Sequence, residues 1–351
     1  LLWNNSGLSK FWASNNFYSD TNNCQSSDNK YRCWEESILQ TLKTDGLDQA
    51  FIELDHLYST VPDFASSCHG YTHILGEEAY GKYVNNQSID ITPKTSYCGY
   101  GFYHGFMETL LHEGQDIEKA RKFCAYVDEQ LKSYTSKAFI ACYHGIGHGA
   151  VDGSDPRTLG DSQKIISQAI DLCETVGASN RTKNLCGTGI FNALAIAYNN
   201  DQYELIAPEH PYEICLTQDK SYFKDACYEE MNTHAFLRGN GDLSKAINFI
   251  EDINENEYAI IAMKNISPVA VSSAKEKKDF DDLIRVCKSA RIDLQEPCLE
   301  GLVGGLIEFG RPGVEYENAI EFCASDALDQ KERLSCRLSL VDHANTVYSR
   351  A

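Results

Sequence analysis

Five of the chain's ten histidines, His69, His73, His104, His144 and His148, fall within 80 residues of one another. Residues four apart share one face of an α-helix, so His69/His73 and His144/His148 are each a potential bidentate pair. The segments carrying them align on a glycine three positions after a cysteine, or two in the first segment. Cys98-Gly-Tyr-Gly101-Phe-Tyr-His104 lies over Cys142-Tyr-His144-Gly145-Ile-Gly-His148 and Cys186-Gly-Thr-Gly189-Ile-Phe-Asn192, and Cys68-His69-Gly70-Tyr-Thr-His73 joins with a one-residue shift. In this register His73, His104, His148 and Asn192 are equivalent, and His69 and His144 occupy a second position where the intervening segment has Tyr100. Neutral imidazole nitrogens ligate zinc, copper and iron. Three helices laid side by side would bring these rings together as a metal site. The same pattern also fits a structural hydrogen-bond ladder, with each ring satisfied by the next helix, or acid–base catalysis without a metal.

Carboxylates recur near the same positions. Glu77 and Glu78 lie one turn beyond His73, Glu108 is four residues after His104, and Asp152 is four after His148. Such acids, with Asn192 and Tyr100, are candidates to orient imidazole ligands through their second nitrogen. Gly101, Gly105, Gly145, Gly147 and Gly149 cost helix propensity, about 1 kcal/mol each in a helix interior. Their presence implies close helix–helix approach or room for a ligand. His234 and His343 sit one position off the register and read as packing or surface groups. His56, His112 and His210 read as isolated surface or capping residues.

The elements that must position these rings are marked by fourteen cysteines. Ala120-Arg-Lys-Phe-Cys124, Ala169-Ile-Asp-Leu-Cys173, Leu283-Ile-Arg-Val-Cys287 and Ala319-Ile-Glu-Phe-Cys323 share a helical apolar–polar pattern ending in cysteine. A second cysteine follows 11 to 18 positions later and often opens another apolar stretch. One cysteine on each of two helices joined by a polar turn describes a stapled αα-hairpin. Ala246-Ile-Asn-Phe-Ile250 matches the pattern with Ile in place of cysteine, which predicts a cysteine-free repeat packed by apolar contact. Neighbour pairing gives Cys24–Cys33, Cys68–Cys98, Cys124–Cys142, Cys173–Cys186, Cys215–Cys227, Cys287–Cys298 and Cys323–Cys336. No Cys-x-x-Cys occurs, which disfavours thiolate metal sites, and no Cys-x-x-Cys-His occurs for covalent haem.

The predicted fold is therefore all-α, an array of disulfide-stapled αα-hairpin repeats forming an α-solenoid or a curled α/α array. Residues 1–60 form an N-terminal helical segment, 61–155 the Gly/His-rich hairpins with the candidate site, and 156–351 stapled hairpins, in one continuous unit. In organisation, over about residues 115 to 345, the chain resembles tetratricopeptide and Sel1-like arrays, some secreted members of which carry a disulfide per hairpin. The Trp-Leu-Gly-Tyr and Ala-Phe-Pro consensus of those families is absent.

Lys plus Arg number 31 against 51 Asp plus Glu, a formal charge of −20, which argues against nucleic acid or anionic membrane as a partner. No apolar run approaches the about 18 residues of a membrane span. Abundant paired cysteines point to a secreted or extracytoplasmic protein, and sequons at Asn4, Asn86, Asn180 and Asn265 permit glycosylation there. Two functions fit: a metal-binding protein, one version of it a metal-dependent enzyme, using the five histidines; or a protein- or peptide-binding scaffold, or a subunit of an extracellular assembly or homo-oligomer, with structural histidines. Haem held non-covalently by facing histidines is a weaker third.

Overall fold

The computed structural model describes residue 24 and residues 29–347, apart from 62, 86, 115, 155, 159, 201–202, 272–276 and 313. The sequons at Asn4 and Asn86 lie outside the described residues. The fold is all-α, and the described residues contain no strand. In chain order the helices are α1 (Lys30–Asp45), α2 (Leu47–Thr60), α3 (Cys68–Val84), α4 (Gly101–Gly114), α5 (Ile117–Leu131), α6 (Lys137–Asp152), α7 (Ser162–Val176), α8 (Asn180–Ala197), α9 (Ser221–Glu230), α10 (Asn232–Arg238), α11 (Leu243–Glu251), α12 (Asn256–Val271), α13 (Lys277–Ser289), α14 (Ile292–Glu308), α15 (Tyr316–Cys323) and α16 (Gln330–Val347).

Two kinds of helix follow from two kinds of sequence. Helix α7 starts at Asp161, whose carboxylate accepts from the Lys164 amide, and buries Ile165, Ile166, Ala169, Cys173 and Val176 as one stripe. That is the pattern of a helix with one face on the core and one in water. Helix α5 repeats it with Asp116 as cap and Ala120, Phe123, Cys124, Val127 and Leu131 buried. By contrast α6 buries an unbroken run from Gly145 to Val151, and α8 buries Cys186 to Phe191. A helix apolar all round belongs inside. Accordingly α3, α4, α6, α8, α9, α12 and α14 pack each against the next as an inner row, extended at its end by the largely exposed α16 against α14, while α5 contacts α7, and α13 contacts both α11 and α15, outside it. The inner row bends round on itself. The Tyr58 hydroxyl on α2 donates to the Phe309 carbonyl just after α14 at 2.7 Å, and the Phe309 ring lies beside His69 of α3.

All seven cysteine pairs join the expected partners, with Cα–Cα distances between 5.4 and 5.7 Å. Cys124–Cys142, Cys173–Cys186, Cys287–Cys298 and Cys323–Cys336 each link an outer helix to the inner helix that follows it. Closing a loop of 13 residues, as Cys173–Cys186 does, restricts the unfolded chain by about 3 kcal/mol.

Glycine sets the spacing of α3, α4, α6 and α8. A Cβ on Gly105 of α4 would overlap the His73 carbonyl of α3, and one on Gly189 of α8 would overlap the His144 carbonyl of α6. Gly76 meets the backbone of Phe102 in the same way, and Gly147 that of Cys186. These are backbone-to-backbone contacts that no side chain can yield to. Gly81, on the same helix as Gly76, has nothing within 4 Å of an added Cβ. We therefore expect Gly105→Ala to cost about 3 kcal/mol by overpacking, and Gly81→Ala to gain up to about 1 kcal/mol from helix propensity. Denaturant unfolding of the two variants checks this, and equal stabilities would refute the glycine-contact account.

Candidate metal centre

The close packing of α3, α4 and α6 brings all five predicted histidines together. His69 and His73 stand on α3, His104 on α4, and His144 and His148 on α6. Ring centroids of His104 lie 5.3 Å from His69, 5.1 Å from His73, 4.9 Å from His144 and 4.8 Å from His148. His73 and His148 are 6.5 Å apart. Two triads result, His69/His73/His104 and His104/His144/His148, and within each the potential ligand atoms lie within 4.8 Å of one another.

The outer four rings are anchored through Nδ1. His69 donates to the Cys98 carbonyl at 2.8 Å. His73 and His148 donate to opposite oxygens of the Glu108 carboxylate, at 3.3 and 3.0 Å. His144 donates at 2.8 Å to the Thr188 hydroxyl, whose own proton goes to the Leu185 carbonyl. With Nδ1 committed as donor, each Nε2 of a neutral ring presents a lone pair. Yet Nε2 of His69 lies 3.1 Å from Nε2 of His73, and Nε2 of His144 lies 3.1 Å from Nε2 of His148. Lone pairs so placed repel unless a cation, a proton or a metal ion, lies between them. Two imidazole nitrogens on a tetrahedral ion at 2.0–2.1 Å would be about 3.3 Å apart. The pairs are set at close to that spacing.

Backbone geometry supports the anchoring. Cys98, Gly99 and Tyr100 all adopt positive φ, at 54°, 71° and 63°. For Cys98 and Tyr100 this conformation costs about 1–3 kcal/mol each. The Cys98–Cys68 bridge and the buried Tyr100 ring hold this turn, from which the Cys98 carbonyl meets His69.

Burial controls the charge of the cluster. It depresses His69 to about 3, helped by neighbouring His73, and it holds His104 and His144 well below the usual imidazole range. Burial pushes the Glu108 carboxyl up, but the flanking His73 and His148 outweigh it and keep Glu108 ionised. Burial with the Glu108 charge nearby raises Glu77 and Asp152 each to about 7. The rings of His69, His104 and His144 form one wall of a cavity of ≈ 470 Å³. Glu229, Glu230, Glu308 and Lys137 line the same cavity, Glu230 reaching to 3.8 Å from Nδ1 of His144. There burial lifts Glu229 to about 7, and burial beside Glu229 lifts Glu230 well above the carboxylate range.

No family model matches the chain, and neither a curated protein nor a solved structure matches it. The site must therefore be read from its own chemistry.

Of the orienting groups predicted from sequence, Glu108 serves in an unexpected direction. It bridges His73 and His148 of the two flanking helices and leaves His104, on its own helix, without it. The buried Nδ1 of His104 has no hydrogen-bond partner among the described residues. Asp152 accepts from the Tyr203 hydroxyl at 3.0 Å, and the Asn192 amide donates to Glu230 at 2.8 Å. Glu77 is related to the site through the charge of Glu108. Thr188 and the carboxylates of α9 and α14 were not anticipated. Thr188 follows Cys186 by two residues as His144 follows Cys142, so the register marks its place, though not its role. Elsewhere His56 and His112 are exposed, and Nδ1 of His210 accepts from the Tyr212 amide two residues on. His234 is buried, with its Nδ1 3.3 Å from the Asn199 amide, and His343 packs on Gly304. Of the described sequons, Asn180 is exposed, whereas Asn265 lies within α12 and donates to the Ile261 carbonyl.

Two tests follow. Below pH 6.5 an unfolded chain protonates His69 while the folded, metal-free protein does not until about pH 3. Folding stability therefore falls with acidification across that window, by up to about 1.4 kcal/mol per pH unit from this group. Glu77, Asp152 and Glu229 act oppositely, losing stability as pH rises from about 4 to 7. His69→Gln should therefore flatten the acid limb, most visibly below pH 4.5, where the carboxyl contributions are complete. An unchanged limb in denaturant melts would contradict the buried neutral ring. Glu108→Gln should leave the helical content intact and lower zinc affinity about 10- to 100-fold. Unaltered affinity in competition titrations would remove Glu108 from its orienting role.

Proposed function

We propose that this chain is an extracytoplasmic metal-binding helical protein whose histidine cluster holds a transition ion facing the adjacent cavity. The facing Nε2 lone pairs carry this reading. Four rings are each tied down by a protein acceptor at Nδ1, and their remaining nitrogens are turned on one another 3.1 Å apart. Anchoring through Nδ1 while Nε2 converges is how proteins orient imidazole ligands. A hydrogen-bond ladder would instead spend both nitrogens on protein partners. The ion is of the zinc, copper or iron class, because imidazole suits these and all fourteen cysteines are in disulfides, leaving no thiolate ligand. Seven disulfides support an oxidising compartment for the chain.

The chain's own residues supply the rest of the site. His69, His104 and His144 open onto the cavity, so a small molecule there would meet the ligand rings directly. The same cavity offers Glu230, its carboxyl raised by burial, and the Asn192 amide beside it as hydrogen-bonding groups, and the cavity volume falls within the range of small-molecule sites. A three-histidine ion with an open position supplies Lewis acidity or activated water.

The deciding measurement is elemental analysis of protein exported to an oxidising compartment and purified untagged, without chelator. It is compared with a variant in which all five histidines are replaced by glutamine. At least one zinc, copper or iron ion per chain is expected for the native protein and none for the variant. Adding that ion back to chelator-stripped protein at about 1,000 times its dissociation constant should stabilise it by about 4 kcal/mol. Equal, trace metal in both proteins would show that the cation between the nitrogens is a proton.

A further inference from the structure

The geometry points to two metal ions rather than one, held by the two triads and bridged by the His104 ring. This rests on the metal-binding reading and extends it to the number of ions and the role of the central ligand. The two pairs flank His104 on either side, His69/His73 from α3 and His144/His148 from α6, with centroid distances to His104 that differ by only 0.5 Å, from 4.8 to 5.3 Å. Each pair has its own facing Nε2 atoms at the same 3.1 Å. Each pair also has its own anchors, the Cys98 carbonyl on one side and Thr188 on the other. The one shared anchor, Glu108, gives one carboxylate oxygen to each half and so ties the halves together.

His104 differs from the other four in the way a bridge requires. Its Nδ1 is buried and has no partner among the described residues, whereas the other rings have theirs committed. A nitrogen has one in-plane lone pair, so simultaneous occupancy of both triads needs Nδ1 for one ion and Nε2 for the other. The charge and atom balance is simple. The first ion takes the existing lone pair of neutral His104. The second replaces the remaining N–H proton, which leaves to solvent, and the ring becomes an imidazolate between two ions. A mononuclear site gives no account of a second anchored pair of equal spacing, nor of a buried ring nitrogen left without a partner.

The test is titration of chelator-stripped, otherwise native protein with Cu(II), reading bound copper per chain and the low-temperature electron paramagnetic resonance signal. Two equivalents are expected to bind. The signal should grow over the first equivalent and decline over the second, because spins joined by an imidazolate couple antiparallel. His69→Gln/His73→Gln and His144→Gln/His148→Gln should each retain one equivalent with a full, uncoupled signal. Saturation at one ion per chain in the native protein would overturn the two-ion inference while leaving the metal-binding reading standing. Two ions with undiminished signal would overturn the His104 bridge. No bound copper at all would overturn both readings. The native stoichiometry and signal decide the matter even if a paired variant fails to fold.

Discussion

Everything at the site depends on how closely α3, α4, α6 and α8 approach one another. Their backbones touch where Gly76, Gly105, Gly147 and Gly189 have no Cβ, and carbonyls of the neighbouring helix fill that space. Ordinary helix pairs stand 8–10 Å apart because side chains separate them. Here the backbone contact draws imidazoles from three helices into one cluster. The same contact removes water, and desolvation then keeps His69, His104 and His144 neutral. Packing thus decides charge, and charge decides what the cluster can bind.

The electrostatic pattern around the rings follows from the same burial. One ionised carboxylate, Glu108, is shared by His73 and His148, while Glu77, Asp152, Glu229 and Glu230 are all raised by desolvation. A chain with a formal charge of −20 keeps little of that charge next to its histidines. Neutral nitrogen lone pairs, a single anion and a polar cavity wall form an environment prepared for a cation, because a buried positive charge would find compensation there that bulk desolvation otherwise denies it. The disulfides hold this arrangement from outside. Cys68–Cys98 secures the left-handed turn that presents the Cys98 carbonyl, and Cys124–Cys142 and Cys173–Cys186 fix α6 and α8 to their outer helices.

Much of the fold was legible because its signals are local. The apolar stripe ending in Cys173 and the neighbour pairing of cysteines both involve residues within about one hairpin, where spacing along the chain limits spacing in space. The glycine-centred register of the four His- or Asn-bearing segments was likewise visible, since it repeats in sequence. That register named the five histidines. It also named Glu108 as an orienting acid by analogy with the acids after His73 and His148, without saying which imidazole it would meet. An acid four residues beyond a histidine shares its helix face, but Glu108 points across to α3 and α6, where two N–H donors await it.

By itself the sequence determined helical class and which histidines share a face, because both are set by periodicity over one or two turns, and it suggested the cysteine pairing without fixing it, because neighbours along the chain are only favoured partners. Only the tertiary structure decided the rest. It set the depth of helix approach at each glycine and split the five rings into two triads about His104. It also brought Glu229, Glu230 and Glu308, as far as 239 positions from His69 along the chain, to line the same cavity as the rings. Those features depend on how the inner row bends until Phe309 meets His69. A bend is the sum of many small packing angles between helices, and no local pattern of residues encodes that sum.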